Sequence, residues 1–278
     1  MKRIGLVVHQ GRGSAMAYAA KAAAYLAKAG IQAQAEETTA DALPGVTTFS
    51  DAKEPPEIVL SLGGDGTLLR GAQFALHWDV PLMGINLGRV GFLTESEPEK
   101  LEDSLACLIE GSYTLEQRAL LDVRTEKGRW LALNDVVVSR GGYARLITMN
   151  ALVDGESAGR YVADGLIVAT PTGSTGYSLS AGGPIISPSV DCMVITPICA
   201  HSLQHRPAVV PGDAHISLEM GFDHEMCACL QVDGQSCASL YEGARVDVCR
   251  AGQKIRLIRT KQPRFFQLVR DKLTEWSQ

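Results

Sequence analysis

The chain lacks the eighteen or more consecutive apolar residues that a membrane-spanning helix requires, and its opening MKRIGLVVHQ has too short an apolar run for a signal peptide. The expectation is a soluble, cytoplasmic protein. It also lacks an excess of positive charge: 26 Lys and Arg stand against 31 Asp and Glu, a net charge of −5. That balance leaves no electrostatic footprint for nucleic acid or an anionic membrane, so small molecules are the expected partners. Paired CxxC spacings are missing too. The seven cysteines, at 107, 192, 199, 227, 229, 237 and 249, are an odd, scattered set that reads as reduced thiols. Cys227 and Cys229 would share one face of a strand, where a metal pair is conceivable. No second ligand pair accompanies them, so buried thiols are the reading and no metal ligands are assigned. Aromatic residues make up only 6%, and Trp78, Trp130 and Trp276 read as packing residues.

What is present is length and a change of pattern. At 278 residues the chain can hold two domains. Residues 4–10 read as a buried strand, followed by an Ala-rich helix capped by Ser14 and ended by Gly30. IQAQAEE is a second strand and 41–56 a loop. EIVLSL, TLLRGAQFALH and VPLMGIN continue as strand, helix and strand, and a helix near 97–110 closes the half. Such alternation implies a parallel sheet covered by helices. From about 115 the chain becomes a series of short strands (LDVRTE, WLALNDVVVSR, LITMNALVDGE, GLIVAT, CMVITP, AHISLEM, CLQVDGQ, ARVDVCR, KIRLIRT) interrupted by a Ser/Gly-rich run at 172–183. It ends in an amphipathic helix, FFQLVRDKLTEW. The expected division is an α/β domain over 1–117 and a β-rich domain over 118–263, with helix 264–278 packing back on the first.

Several stretches could carry chemistry. GRGSAM at 11–16, with Glu36 and Glu37 downstream, imitates a dinucleotide fingerprint, but Met16 occupies the third small position and a tight β-α turn is the better reading. GGDGT at 63–67 lies where a strand meets a helix, a site suited to anions. Its Asp65 is either a helix cap or a functional carboxylate. A cap alone does not need glycine at 63, 64 and 66, and no Walker-type lysine is present. An Asp among phosphate-facing amides could accept the proton of an attacking hydroxyl. DGLIVATPTGSTGYSLSAGGP, from Asp164 to Pro184, is dense in hydroxyls and amides that suit a polar ligand, although a plain Ser/Thr-rich turn has the same look. Asn134 and Asp135 precede a buried strand and, alone, read more often as a turn. His201 and His205 have no obvious carboxylate partner and read as loop or core residues.

Four of these blocks, in this order, resemble the NAD kinases: LGGDGTLL at 62–69, GINLGRVGFLTE at 84–95, NDVVVSRG at 134–141 and DGLIVATPTGSTGYSLSAGGPI at 164–185. GGDGT alone is shared with diacylglycerol and sphingosine kinases; the long fourth block is far more specific. The resemblance implies transfer of the γ-phosphoryl of ATP to the 2′-hydroxyl of the adenosine ribose of NAD, giving NADP. NAD is then a substrate, and Mg²⁺ is held mainly by the triphosphate. It implies Asp65 as general base and Gly66 in the phosphate-facing loop. Asn134 and Asp135 would meet the dinucleotide, Arg70, Arg145 and Val162 would line its site, and Asp164 would meet the nicotinamide end. Thr175, Gly176, Tyr177, Ser178, Leu179 and Ser180 would wrap the adenosine with Ser174 beside them, Phe92 would pack on adenine, and Gln235 would complete the pocket. Gly176 stands where many members have Ala, a mild loosening. Val162 stands at a position that is often basic or polar and leaves that contact to the backbone or to nothing. The implied fold is a Rossmann-like α/β domain followed by a β-rich, sandwich-like domain with NAD in the cleft between them, assembled as a homodimer or homotetramer. Two other readings stay open: a lipid kinase sharing GGDGT, and a non-catalytic NAD-binding sensor.

Overall fold

The computed structural model describes every residue except 12, 89–90, 143–144, 203, 222–226, 262–264 and 277–278, and the side chains of 275 and 276; the packing expected of Trp276 therefore lies outside the described residues. The chain forms two compact units, Met1–Gln117 with Ile255–Gln278, and Arg118–Lys254.

The first unit runs β1 (Arg3–Val8), α1 (Gly13–Lys28), β2 (Gln32–Ala35), α2 (Glu37–Ala40), β3 (Thr47–Thr48), β4 (Ile58–Gly63), α3 (Asp65–His77), β5 (Leu82–Asn86) and α4 (Leu101–Glu110). Its strands are parallel in the order β3-β2-β1-β4-β5. β4 and β5 are buried along their whole length, as expected of central parallel strands covered on both faces. α1 turns Ala15, Ala19, Ala22, Ala23 and Leu26 inward, a small-residue stripe at helical spacing. Gly30, at φ 73, terminates it in the left-handed conformation the sequence leads one to expect. Ser14, by contrast, lies inside the first turn, because the helix already starts at Gly13. α2 begins at Glu37, the last residue of what reads in sequence as a strand.

The second unit is β-rich. β6 (Thr114–Thr125) leads into it, followed by β7 (Gly128–Ala132), β8 (Asp135–Arg140), β9 (Ile147–Val153), β10 (Glu156–Ala163), β11 (Gly165–Ala169), α5 (Tyr177–Ser180), β12 (Cys192–Ile198), β13 (Ala208–Pro211), β14 (Ile216–Met220), β15 (Ala228–Val232), β16 (Gln235–Leu240) and β17 (Arg245–Arg259). One antiparallel sheet has the order β13-β12-β11-β8-β15-β16. The other joins β10, β9, β14 and the start of β17, with β6 paired to β7. Val136, Val138, Leu166 and Val168 of the first sheet share one core with Ile147, Met149, Leu218 and Val246 of the second, so the unit is a sandwich. β17 changes unit within its length: Ile255–Arg259 belongs to the first unit, where Leu257 pairs with Leu82, whereas the sequence pattern keeps the whole strand in the second. α6 (Phe265–Trp276) also belongs to the first unit.

Candidate active site

In the first unit the chain builds outward from β1 through β2 to β3, then crosses back to add β4 and β5 on the other side. At such a reversal the loops past the strand ends diverge and open a crevice, where α/β sheets place their ligands. A cavity of about 530 Å³ lies there. His9 and Gln10 line it from the end of β1, Gly64, Gly66, Thr67 and Arg70 from the β4-α3 junction, and Asn86 and Gly88 from the end of β5.

GGDGT builds the cavity floor. A Cβ on Gly63 would stand 2.2 Å from the Thr67 hydroxyl, so only glycine lets the chain turn this tightly. Gly64 is the N-cap of α3 and Asp65 its first residue. Gly66 is exposed and lines the cavity, with no atom within 4 Å of where a Cβ would be. The Asp65 carboxylate is not spent on capping α3. Its Oδ2 accepts the Phe92 amide at 2.8 Å and its Oδ1 the Leu93 amide at 3.2 Å, with the Thr94 amide joining the cradle. Burial raises its pKa; these amides, and the charge of Lys272 on α6, pull the other way. The approach is so close that a Cβ on Gly91 would fall 1.9 Å from Oδ1. The cradle loop is itself anchored. Arg259, at the end of β17, donates to the Leu93 carbonyl and the Glu95 carboxylate at 3.1 Å each, and to Glu116 at 2.7 Å. Glu95 also accepts the amides of Thr260 and Lys261.

Arg70, on the next turn of α3, is fixed by Glu36 at 3.1 Å and by the Val8 carbonyl. Burial raises the pKa of Glu36, and the Arg70 charge opposes that rise. The acidic residue downstream of GRGSAM is thus engaged with an arginine.

In the second unit Asn134 and Asp135 stand where β8 begins, after a break that separates it from β7. Asp233 accepts the amides of Leu133, Asn134 and Asp135 at 2.8, 2.7 and 3.2 Å. Thr170 holds the same stretch from the other direction, donating its hydroxyl to the Leu133 carbonyl at 2.6 Å and its amide to the Asn134 carbonyl at 2.8 Å. Gly173 packs flat on Asn134, where a Cβ would meet the carbonyl oxygen at 2.1 Å. Asp135 is buried, and burial together with the Asp233 charge lifts its pKa to about 7. Asn134 Oδ1 is buried with no hydrogen-bond partner among the described residues.

The Ser/Thr-rich run is less open than its composition suggests. Ser174 is buried and bonds the Pro171 and Ile186 carbonyls; Ser178 is buried against the Thr196 hydroxyl at 2.8 Å; Thr175 bonds the Thr172 carbonyl. These hydroxyls brace the turn. Tyr177 and Ser180 are exposed and Leu179 is half-buried. Gly176 lies beside the Asn134–Asp135 pair: a Cβ on it would be 3.7 Å from Asn134 Nδ2 and 3.8 Å from Asp135 Oδ2. Gln235, exposed, follows the Asp233-Gly234 turn. Three other expected residues have these surroundings. Val162, on β10, gives its carbonyl to the His201 amide at 2.8 Å; Asp164 pairs with Arg140 at 3.2 Å; Arg145 is exposed. Gly91, Arg259 and Asp233 carry much of this geometry without being singled out by the sequence. Gly91 lies inside the quoted GINLGRVGFLTE block, and Asp233 reads there as an ordinary Asp-Gly turn residue.

A glycine-lined helix N-terminus with a gripped aspartate, set in an α/β unit that continues into a β sandwich, suits a protein that handles phosphate groups. Residues 4–113 match the ATP-NAD kinase N-terminal domain and residues 133–260 the ATP-NAD kinase C-terminal domain. The NAD kinase of Citrifermentans bemidjiense is 38% identical over the whole of both chains, and that of Moorella thermoacetica 46% identical over 79% of this chain and 71% of its own. The chain belongs to the NAD kinase family. Among solved structures, yeast NADH kinase complexed with NADH superposes with a TM-score of 0.89 at 25% identity, covering 99% of this chain and 88% of the yeast one. An Archaeoglobus fulgidus NAD kinase in complex with ATP superposes at 0.75 and 25% identity, covering 99% of each chain.

Proposed function

We propose that the chain transfers the γ-phosphoryl of ATP to the 2′-hydroxyl of the adenosine ribose of NAD, with Asp65 as general base. In this reaction the 2′-oxygen bonds to the γ-phosphorus as the bond to the β,γ-bridging oxygen breaks; ADP leaves and NADP forms. The observation that carries the reading is the Asp65 cradle at the N-terminus of α3, beside the cavity. A carboxylate offers about four lone-pair sites. The three amides leave capacity for one more proton while holding both oxygens in place. The pKa rise caused by burial makes Asp65 a better proton acceptor than a free aspartate. The N-terminus of α3 suits the phosphates, and Arg70 supplies a fixed positive charge at the same cavity. Asn134 and Asp135 hold the dinucleotide, with Gly176 giving it room; Arg145, Val162, Asp164, Thr175, Tyr177, Ser178, Leu179, Ser180 and Gln235 complete that site through side chains or backbone.

Among the described residues no three His, Cys, Asp or Glu side chains group as metal ligands. A magnesium ion would be carried mainly by the nucleotide phosphates, where it would offset their charge. No described helix is long and apolar enough to cross a membrane. The reading includes a cytoplasmic location and a homodimer or homotetramer, both by analogy with the family.

A coupled assay with ATP, Mg²⁺ and NAD, read by an NADP-specific dehydrogenase, tests the proposal on the wild type and Asp65→Asn. NADP from the wild type alone supports it. NAD binding without turnover by either would indicate a sensor, and failure to bind NAD would point to the lipid kinases.

A further inference from the structure

We propose that Asp233 is a positioning residue for the dinucleotide site: its carboxylate shapes the backbone of residues 133–135 so that the Asn134 and Asp135 side chains are presented to the ligand. The proposal rests on the reading of that pair as dinucleotide contacts.

Asp233 and Gly234 are the two central residues of a β15-β16 hairpin, at φ 48 and 77, with Val232 paired to Gln235. Positive φ at both is the type I′ geometry that favours Asp-Gly and Asn-Gly. The turn by itself explains an Asp here. It does not explain where the side chain goes. The carboxylate takes three consecutive amides of another loop, and the Asp233 amide returns a hydrogen bond to the Asp135 carbonyl at 3.0 Å. Thr170 takes the two remaining carbonyls, those of Leu133 and Asn134. Every backbone polar group of the three residues is therefore satisfied by Asp233 or Thr170. The peptide is fixed before any ligand arrives, while the buried Asn134 Oδ1 remains without a hydrogen-bond partner among the described residues. A site whose supporting contacts are complete and whose presenting atom is unpaired is preorganised for a donor on the ligand.

The arrangement also places two carboxylates together. Burial raises the pKa of both: at Asp233 the three amides pull the other way, while at Asp135 the Asp233 charge adds to the rise, to about 7. The two contributions to that rise are, in order, burial and the Asp233 charge. Removing the Asp233 charge should move Asp135 titration to lower pH, which reports the proximity of the two carboxylates, while the split between KM for NAD and KM for ATP reports the positioning.

Asp233→Asn is the direct test, because Asn-Gly keeps the turn while the second oxygen and the charge are lost. Asp233→Gly removes the whole side chain and also tolerates the turn, so it carries the comparison should the first variant fold poorly. KM for NAD should rise about tenfold with KM for ATP changed less than about twofold, the loss expected for hydrogen bonds to a charged group. The break in the pH profile of KM for NAD should shift to lower pH. Asn134→Ala and Asp135→Asn serve as controls. If they raise KM for NAD while a folded Asp233 variant keeps the wild-type KM and pH profile, the positioning role is overturned and the site reading stands. If all of these variants behave like the wild type, the site reading and the positioning role fall together.

Discussion

Two carboxylates in this chain are each gripped by consecutive backbone amides of a loop far away in sequence: Asp65 by Phe92, Leu93 and Thr94, and Asp233 by Leu133, Asn134 and Asp135. Asp65 sits at a helix N-terminus beside a cavity, with Lys272 adding positive charge; Asp233 sits in a tight turn against the buried Asp135. In the first unit the loop holds the carboxylate, and the carboxylate is the proposed functional group. In the second the carboxylate holds the loop, and the neighbouring side chains are the proposed functional groups. Identical hydrogen bonds thus serve opposite purposes, and the partner that is itself anchored elsewhere decides which. The 91–95 loop is fastened by Arg259 and the Glu95 cluster, while Asp233 is fastened by its hairpin.

Breaking the first cradle at its centre should have the largest effect. Asp65→Asn is expected to lower kcat about a thousandfold with NAD still bound, the range general-base catalysis supplies; kcat within tenfold of wild type would remove Asp65 as base. Next comes the anchor. Arg259 and Glu95 are a buried pair, 6% and 8% exposed. Arg259→Met leaves Glu95 and Glu116 without their arginine and is expected to destabilise the protein by about 3 to 5 kcal/mol in urea unfolding. A change below about 1 kcal/mol would show that the loop is held by something else. Gly91→Ala attacks the contact itself and is expected to cost about a hundredfold in kcat with KM for NAD little altered, because the carboxylate must shift by roughly an ångström. Comparable kcat in Gly91→Ala and wild type would mean that the cradle tolerates displacement.

The second cradle gives a pH prediction. Asp135 has a pKa of about 7 in the folded protein against 3.8 for the ordinary group, so between those values the native state binds more protons than the unfolded chain and stability falls as pH rises. Asp135→Asn removes that penalty. It should stabilise the protein most above pH 7, by up to about 4 kcal/mol, and not at all below about pH 4. A stability difference independent of pH would contradict the assignment of the proton to Asp135. The smallest effect expected is at Gly176, where Ala brings a Cβ 3.3 Å from the Gly173 carbonyl and leaves ordinary distances to Asn134 and Asp135. Gly176→Ala should change KM for NAD less than about threefold, since an ångström-scale clash is absent.

The alternation of strands and helices in the first half is legible because the central strands are apolar throughout and the helices carry a buried stripe. The edge strands are not. β10 begins with exposed residues and β13 alternates half-buried with exposed, so neither has a run that stands out from a loop. β17 reads as two strands because Ala251-Gly252 interrupts its pattern, and WLALNDVVVSR reads as one although Leu133 and Asn134 separate β7 from β8. That same break is where Asn134 stands, directly before Asp135. Asp65 was legible as a functional candidate because three glycines around an acid exceed what a cap needs. Its cradle was not, because amides of residues 92–94 leave no mark in side-chain chemistry. Asp233 was hidden for a different reason: an Asp-Gly turn already has a sufficient local explanation, and the long-range use of its carboxylate is visible only when β8 and β15 lie side by side.

The rate of NADP formation in a single turnover, followed from about pH 5 to 9 for the wild type and Asp65→Asn, tests the role of the first cradle most directly. The wild-type rate should fall toward acid pH through a group titrating above the ordinary aspartate range, and the variant should be slow with that limb lost. A wild-type limb retained in Asp65→Asn, or a variant as fast as the wild type, would assign the proton transfer to another group.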